Sequence, residues 1–401
     1  MGLNDTPSAN RIHIGFFGKT NAGKSSLVNA ITGQSLAVVS SERGTTTDPV
    51  YKAMELLPLG PVLIMDTPGL DDTSVLGKLR IQKTNEVLRK TDIAIVVVDV
   101  TQGITQDEEN LLKQLKERDI SALLVWNKVD LVGEEKSLPK EDIGVPQIFV
   151  STLTGEGVNK LKEQIPHVMK QKENERPLVK DLIKPLDVVV LVVPIDESAP
   201  KGRLILPQQQ VIRELLECGA VTVVVKDTEY KQMLLSMEKK PRLVIIDSQV
   251  FGRISAETPE DIPLTSFSIL MARKKGFLKI AKEGAHALDR VKDGDKILIV
   301  EGCTHHRQCG DIGTVKLPNW IRNHTQAEPE FVFCSGMEFP ENLSQYQLVI
   351  HCGGCMLNER EMRYRMQKAM EQEVPFTNYG IAIAHMHHIL HISVLPLEGT
   401  Y

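Results

Sequence analysis

A glycine-rich segment near the start of the chain has the composition of a phosphate-binding loop. Residues 18–25 read G-K-T-N-A-G-K-S and lie between an apolar, strand-like segment and a helical one. Glycines allow successive backbone N–H groups to converge on phosphate oxygens at a helix N-terminus, which also favours negative charge. We predict that Lys24 contacts the β- and γ-phosphates of a nucleotide and that the Ser25 hydroxyl binds Mg²⁺.

Two further motifs follow in the order that a nucleotide-binding domain requires. Asp66 begins a D-T-P-G sequence, in which its carboxylate is predicted to hold Mg²⁺ through water and the Gly69 N–H to sense the γ-phosphate. Asn127 begins N-K-V-D, whose last residue, Asp130, can accept hydrogen bonds from N1–H and the exocyclic amine of guanine. Adenine has no such pair of donors, so this motif selects GTP. Residues 151–153 complete the predicted base pocket.

Cysteine and histidine residues form a second group of candidate ligands. The sequence C-T-H at 303–305 follows one strand-like segment, and H-C-G-G-C at 351–355 follows another. Because the carboxyl ends of neighbouring strands open into one crevice, the two segments can deliver three thiolates to one point. Two cysteines and two histidines would suit tetrahedral Zn²⁺. Three cysteines and one weaker ligand would suit a 4Fe-4S cluster with an exchangeable iron.

Composition excludes several classes of partner. In 401 residues, 52 acidic side chains outnumber 47 basic ones and aromatic residues are 4%, so neither a basic footprint nor base-stacking platforms for nucleic acid are expected. No apolar run approaches the roughly 20 residues that span a bilayer, and the N-terminus is polar where a signal peptide is apolar. We expect a cytoplasmic protein with no membrane or nucleic-acid partner. Five of the six cysteines fall in the last hundred residues, which favours metal binding over disulfides.

The elements that must position these residues form three successive α/β regions. From residue 12 to about 172, strand-sized apolar segments alternate with helical patterns, which indicates a parallel sheet covered by helices. A second region covers about 80 residues and should pack against a neighbour, because so short a unit buries a limited core alone. The predicted strands are 12–17, 62–65, 93–98, 123–126 and 148–150, then 188–193, 221–225 and 243–246, then 297–300, 331–333 and 348–350.

The first region resembles the translation-factor-related GTPases, in particular the branch that contains Era and the tRNA-modification GTPase TrmE. The resemblance covers residues 11–170 and rests on the three nucleotide motifs and on G-T-T-T-D at 44–48, which is similar to switch I of that branch. It implies that Thr46 is an Mg²⁺ ligand and that Asn21 coordinates K⁺ in place of an arginine finger. Leu70 stands where Ras-like enzymes carry a water-orienting glutamine, so hydrolysis is expected to be slow without help.

The whole chain resembles the FeFe-hydrogenase maturation GTPases. A GTPase domain is followed by C-x-H, by 45 residues (306–350) and by H-C-x-x-C, and residues 200–208 are also similar to that family. The resemblance implies α/β architecture in three parts: a P-loop GTPase domain with a parallel-type sheet at 1–175, a small dimerisation domain at 176–260 and a cluster-binding domain at 261–401.

By the same resemblance, Cys303, Cys352 and Cys355 hold a 4Fe-4S cluster. The labile fourth position would take Glu301, His305, His351 or solvent. The implied function is that of a GTP-hydrolysing scaffold or carrier, which delivers a di-iron precursor to apo FeFe-hydrogenase and has two radical-SAM maturases as further partners. A homodimer through the central domain is also implied.

Two other functions are compatible with the same motifs. One alternative is a TrmE-like, RNA-associated GTPase with a C-terminal zinc module, and the other is a cluster-bearing redox enzyme. Cys309 and Cys334 lie outside the motif and are expected to be buried thiols. The histidines at 385, 387, 388 and 391 are expected to be packing or surface residues. The catalytic residues are predicted as Lys24, Thr46 and Gly69, and the nucleotide, Mg²⁺ and K⁺ ligands as Gly18, Asn21, Ala22, Gly23, Lys24, Ser25, Ser26, Thr46, Asp66, Gly69, Asn127, Lys128, Asp130, Ser151 and Thr152.

Overall fold

The computed structural model describes seven stretches of the chain and divides it into two compact units. The described residues are 6–33, 49–69, 75–132, 143–169, 176–195, 204–303 and 311–398. The first unit is Met1–Glu173 and the second is Asn174–Tyr401. Among the described residues, no helix is long and apolar enough to cross a membrane.

The first unit is built on one six-stranded sheet with the order β2-β3-β1-β4-β5-β6. All pairs are parallel except β2 with β3, and helices cover both faces. Central strands such as Ile93–Asp99 are buried along their whole length, as expected of a parallel sheet covered on both sides. The elements are β1 (Ile12–Phe17), α1 (Lys24–Thr32), β2 (Val50–Leu56), β3 (Gly60–Asp66), α2 (Val75–Lys90), β4 (Ile93–Asp99), α3 (Gln106–Glu117), β5 (Ser121–Asn127), β6 (Gln147–Phe149) and α4 (Val158–Val168).

The second unit begins with a four-stranded parallel sheet of order β10-β9-β7-β8. Strand β8 is an edge strand, and none of its residues is fully buried. The elements are β7 (Val188–Val193), α5 (Leu206–Glu217), β8 (Val221–Lys226), α6 (Tyr230–Ser236), β9 (Leu243–Ile246), α7 (Phe251–Glu257) and β10 (Leu264–Ser266). Since β10 pairs with β9, this sheet continues past residue 260, where the sequence analysis set the domain limit.

A second four-stranded sheet follows in the same unit, with the order β12-β11-β13-β14 and all pairs parallel. One continuous hydrophobic core joins it to the preceding sheet. The elements are α8 (Phe267–Lys274), α9 (Leu278–Ala285), β11 (Lys296–Glu301), α10 (Leu317–Thr325), β12 (Glu330–Ser335), β13 (Leu348–His351), α11 (Glu359–Glu371), β14 (Phe376–Asn378), α12 (Tyr379–Met386) and α13 (Leu390–Val394). The predicted α/β class, with parallel sheets, is confirmed.

Candidate functional site

The nucleotide motifs meet at one edge of the first sheet. Strands β1, β3, β5 and β6 run in one direction, so their carboxyl ends share that edge, where ligands bind in open α/β sheets. The predicted residues follow those ends in groups: Gly18, Asn21, Ala22, Gly23, Lys24, Ser25 and Ser26 after β1, Asp66 and Gly69 at the end of β3, Asn127, Lys128 and Asp130 at the end of β5, and Ser151 and Thr152 after β6.

The phosphate loop is closed around the Lys24 side chain. Its Nζ donates to the carbonyl oxygens of Gly18 at 2.9 Å and Lys19 at 2.7 Å, and the side chain is buried. Gly23 caps α1 with a φ of 92°, and a Cβ there would lie 2.1 Å from Nδ2 of Asn127. That position therefore requires glycine, and the loop presents its ammonium group beside the helix N-terminus.

Ser25 and Asp66 form the part of the site suited to a divalent cation. The Ser25 hydroxyl donates to Oδ2 of Asp66 at 2.6 Å, and Asp66 is fully buried. Its Oδ1 has no hydrogen-bond partner among the described residues. Burial raises the pKa of Asp66, against the opposing effects of Ser25 and Lys24. A buried carboxylate oxygen that accepts no hydrogen bond, next to a hydroxyl, provides oxygen ligands that fit Mg²⁺.

The base pocket is connected to the phosphate loop through Asn127. Its Nδ2 donates to the Ala22 carbonyl at 3.0 Å, and its Oδ1 accepts from Thr152 N–H at 3.3 Å. The exposed Asp130 carboxylate accepts a hydrogen bond from the Ser151 hydroxyl. The structure thus brings the N-K-V-D motif together with Ser151 and Thr152, and the Asp130 side chain stays exposed.

Asp99 is a member of this pocket that the motifs did not reveal. Its Oδ2 lies 2.7 Å from Nζ of Lys128, which has a left-handed backbone with a φ of 66°. Burial raises the pKa of Asp99, but hydrogen bonds from Lys128 and Thr101 outweigh it and hold the pKa below its usual value. Asp99 therefore orients Lys128. Its position at the end of β4, on the same sheet edge, was the available signal.

The cysteine segments come together at the carboxyl ends of two paired strands. Strand β11 ends at Glu301 and β13 at His351, and Val300 is in register with His351. The Gly302 N–H donates to Cys352 Sγ at 3.1 Å, which joins the two segments directly. Gly354 has a φ of 62°, and a Cβ there would lie 2.5 Å from Sδ of Met362, so the turn between the last two cysteines requires glycine.

The thiols of Cys303, Cys352 and Cys355 are close enough to oppose one another's ionisation. Burial, followed by the Cys352 thiol, raises the pKa of Cys303 to about 11 and that of Cys355 to about 12. Burial also raises the pKa of Cys352, while N–H groups of Gly302 and Gly354 oppose the rise. Three partly buried thiols that influence one another's pKa, with Glu301 also nearby, fit a cationic centre that binds them as thiolates and displaces their protons.

A buried network behind the cysteine loop holds His351. Its Nδ1 donates to the Cys352 carbonyl at 2.8 Å, and its Nε2 accepts from Nη1 of Arg365 at 3.1 Å. Arg365 is fully buried and also contacts Glu361 at 2.8 Å and the Gly336 carbonyl at 2.7 Å. Burial, and then Arg365, lowers the pKa of His351 to about 3, so the ring is neutral. Both ring nitrogens are engaged in support of the loop.

Lys275 lies near the cysteines and, like Arg365, was not indicated by the motifs. It is buried on the chain just after α8, and its Nζ donates to the Leu357 carbonyl at 2.6 Å. Its charge opposes the rise in the pKa of Cys355. The remaining predicted residues lie outside the described part of the chain: Thr46 with the rest of 44–48, Leu70, 200–203, His305 and Cys309.

The fold and the phosphate loop define the chain as a P-loop GTPase that carries two further α/β domains. Three family models match it in order: the 50S ribosome-binding GTPase model at 13–128, the hydrogen maturase F dimerization domain at 178–276 and the hydrogen maturase F tetramerization domain at 279–396. The chain belongs to the hydrogen maturase F family of hydrogenase maturation GTPases. It therefore carries domains for self-association as well as GTP hydrolysis.

Relatives outside this family are similar to the GTPase part. The tRNA modification GTPase MnmE of Chromobacterium violaceum is 37% identical over 155 residues, which are 38% of this chain and 34% of the relative. GTPase Der of Clostridium perfringens is 32% identical over 165 residues, 37% of each protein. The match thus spans about a third of these relatives' length. A crystal structure of Aquifex aeolicus Era bound to GDP.AlF4⁻ has a TM-score of 0.35 at 20% identity and covers 54% of this chain and 94% of Era.

Proposed function

We propose that the protein is a scaffold and carrier in FeFe-hydrogenase maturation, with a 4Fe-4S cluster held by Cys303, Cys352 and Cys355. The observation that carries the proposal is the convergence of these three partly buried thiols at adjacent strand ends in a hydrogen maturase F chain. A cluster so held would supply an iron with an exchangeable coordination position. The cargo is a di-iron precursor, which the protein binds at this centre and delivers to apo FeFe-hydrogenase.

The protein's own residues shape the ligand set of this centre. The Gly302 and Gly354 N–H groups donate to Cys352 Sγ, which favours its thiolate form. The His351 ring is occupied by Cys352 O and Arg365, so we assign it to positioning the loop rather than to the fourth ligand position. Three candidates remain for the fourth ligand: Glu301, His305 and solvent. Of these, Glu301 is buried and lies near Cys303.

We assign GTP and Mg²⁺ to the edge of the first sheet. Lys24 would contact the β- and γ-phosphates, Ser25 and Asp66 would hold Mg²⁺, and the Gly69 N–H would sense the γ-phosphate. Thr46 and Asn21 are proposed as the further Mg²⁺ ligand and the K⁺ ligand. When the γ-phosphate leaves, contacts to the segments around Thr46 and Gly69 are lost, and this change would bias the protein's contacts with its partners.

The edge strand β8 supports a homodimer through the central sheet. Val221 and Val224 on this strand are 45% and 48% exposed, and β8 has an unpaired edge within the described sheet. An apolar edge strand favours pairing with another chain. A second copy, together with apo FeFe-hydrogenase and two radical-SAM maturases, makes up the proposed set of partners.

Activation of apo FeFe-hydrogenase tests the proposed function directly. Protein loaded with its cluster and with a di-iron precursor is expected to convert inactive apo-hydrogenase to an enzyme that evolves hydrogen. The matched Cys355→Ser protein, treated in the same way, is expected to yield less than about a tenth of that activity, because a missing thiolate weakens the centre by at least the tenfold typical of a lost supporting group. Equal activation by both proteins would refute a carrier role for this centre.

Changing Asp130 to Asn is expected to weaken GTP binding about 100-fold. The carboxylate is exposed beside Ser151, and its two charge-assisted hydrogen bonds to guanine are worth about 1.5–3 kcal/mol each. Asn keeps an acceptor for Ser151, so the fold is retained, and its amide N–H suits the 2-carbonyl of xanthine. Fluorescence titration with GTP and xanthosine triphosphate measures the exchange of preference. Glu163→Gln on α4 is the control and should bind GTP as the wild type does; an unchanged GTP affinity in Asp130→Asn would contradict the assigned base pocket.

The RNA-associated alternative has less support from the chain as a whole. The similarity to MnmE covers 38% of the chain, while the hydrogen maturase F domains account for 178–276 and 279–396. The zinc module of that alternative concerns the same three cysteines, and the metal content of the reconstituted protein distinguishes zinc from iron there.

A further inference from the structure

Four side chains from three elements form a cluster on the surface of the last domain, away from the cysteine motifs in sequence. The histidine cluster consists of His286 and Asp289 in a 3₁₀-helix (His286–Arg290), His324 near the end of α10 and His385 near the end of α12. Sequence patterns gave no such grouping, because the members are spread along the chain from residue 286 to residue 385. The fold alone brings them together.

Asp289 is the common partner of the three imidazoles. Its Oδ1 lies 2.9 Å from Nε2 of His324 and 2.9 Å from Nε2 of His385, whose Nε2 is also 3.0 Å from Oδ2. Nδ1 of His286 lies 4.0 Å from Oδ2, and ligand atoms of His286, Asp289 and His385 all lie within 4.8 Å of one another. The ring of His286 meets that of His385 edge to face at 5.0 Å.

These separations suit replacement of the shared protons by a metal ion. Around a tetrahedral ion with bonds of about 2.0–2.1 Å, neighbouring ligand atoms are about 3.3 Å apart, so the hydrogen-bonded atoms need to separate by only a few tenths of an ångström. The side chains of His324 and His385 are 14% and 12% exposed and are held by packing. Those of Asp289 and His286 are 48% and 63% exposed, which leaves an entry path for an ion.

We propose that His286, Asp289, His324 and His385 form a binding site for a divalent transition-metal ion, for which Zn²⁺ is the best-suited occupant. Three imidazoles and one carboxylate are borderline-hard donors in a number that completes a tetrahedral shell. Ligand atoms of His286, Asp289 and His385 already lie within 4.8 Å of one another, and His324 is hydrogen bonded to Asp289. With no sulfur ligand, the site is chemically distinct from the thiol centre. A bound ion would tie α10 and α12 to the 3₁₀-helix. This inference does not depend on the function proposed above.

The test uses the full-length protein with its cysteine centre already loaded with iron and sulfide and any affinity tag removed. We expect Zn²⁺ to bind with one ion per chain after gel filtration, and to raise the Tm. Zinc-edge X-ray absorption should show nitrogen and oxygen neighbours at about 2.0–2.1 Å without sulfur at about 2.3 Å. Zinc bound through sulfur alone would overturn the proposal, because the ion would then lie at cysteines.

Conservative variants locate the ion. Asp289→Asn and His385→Gln keep hydrogen-bonding groups of similar size, and each should weaken Zn²⁺ binding by at least about tenfold and remove the rise in Tm. His391→Gln, an exposed histidine on α13 outside the cluster, should bind Zn²⁺ as the wild type does. Unchanged GTP hydrolysis and iron content in each variant report an intact fold. Wild-type zinc affinity in both cluster variants would refute the site.

Discussion

Serine in place of Cys303, Cys352 or Cys355 is expected to remove the 4Fe-4S signal from the reconstituted protein. All three thiols lie near the ends of β11 and β13, close enough to shift one another's pKa, and each is one of the three proposed thiolate ligands. A serine hydroxyl is a harder and far less acidic donor than a thiol, so it does not replace thiolate at iron. Wild type should contain about four irons per chain, and each variant less than about a quarter of that amount.

Iron, sulfide and zinc content, together with the EPR spectrum of the reduced protein, measure this outcome after anaerobic reconstitution. Cys218→Ser is the matched control. Cys218 directly follows α5, and the charged groups that shift its pKa are Glu214, Lys180, Glu217 and Asp181, not the three thiols. That variant should retain wild-type iron. Zinc without an iron signal in the wild type would contradict the cluster and favour a zinc-bearing GTPase.

A His351→Gln variant distinguishes whether His351 is a ligand of the cluster or positions the cysteine loop. Because both ring nitrogens are hydrogen bonded to Cys352 O and Arg365, loss of the imidazole should loosen the loop without removing a metal ligand. The EPR line shape should therefore be retained while iron is lost faster to a chelator. A changed line shape with unaltered chelation kinetics would instead identify His351 as a ligand.

Motifs that are local in sequence could be grouped before the structure was known, and the structure places each group at one sheet edge. The phosphate loop, D-T-P-G, N-K-V-D and the two cysteine segments each follow an apolar strand, so strand order alone predicted which groups share a sheet edge. Predicted strands at 12–17, 188–193 and 243–246 agree with the structure in both limits. These strands are continuous β-branched or apolar segments, buried on both faces.

Three strands lacked such a signal. Strand β2 is an edge strand whose residues alternate between exposed and partly buried, and β10 and β14 are three residues long and contain Thr, Ser or Asn. Their pairing is decided by the neighbouring strand rather than by local propensity. The predicted domain limit at 260 leaves out β10 for the same reason. This strand contains too little apolar sequence to be recognised as part of the second sheet.

The supporting side chains could not be predicted for a different reason. Arg365 and Glu361 look like an ordinary i,i+4 pair on an exposed helix face, yet both are fully buried because α11 packs this face behind the cysteine loop. Lys275, Asp99 and the histidine cluster likewise gain their roles from partners distant in sequence. Hence the candidate ligands could be predicted from motifs, whereas the groups that orient those candidates could be identified only from the tertiary structure.

Changing Lys24 to Ala is expected to lower GTP hydrolysis by at least about 100-fold, the cost of removing one stabilising donor from a transition state. The Lys24 ammonium is held at the mouth of the phosphate loop by two carbonyl oxygens, and it is the loop's buried cation. Phosphate release measures the rate, and Lys160→Ala, which removes an exposed lysine from α4 of the same unit, should leave it unchanged. Cluster content should be the same in all three proteins. If apo-hydrogenase is then activated as fully by Lys24→Ala as by the wild type, hydrolysis does not drive delivery of the di-iron unit; a matching loss of activation would couple the two.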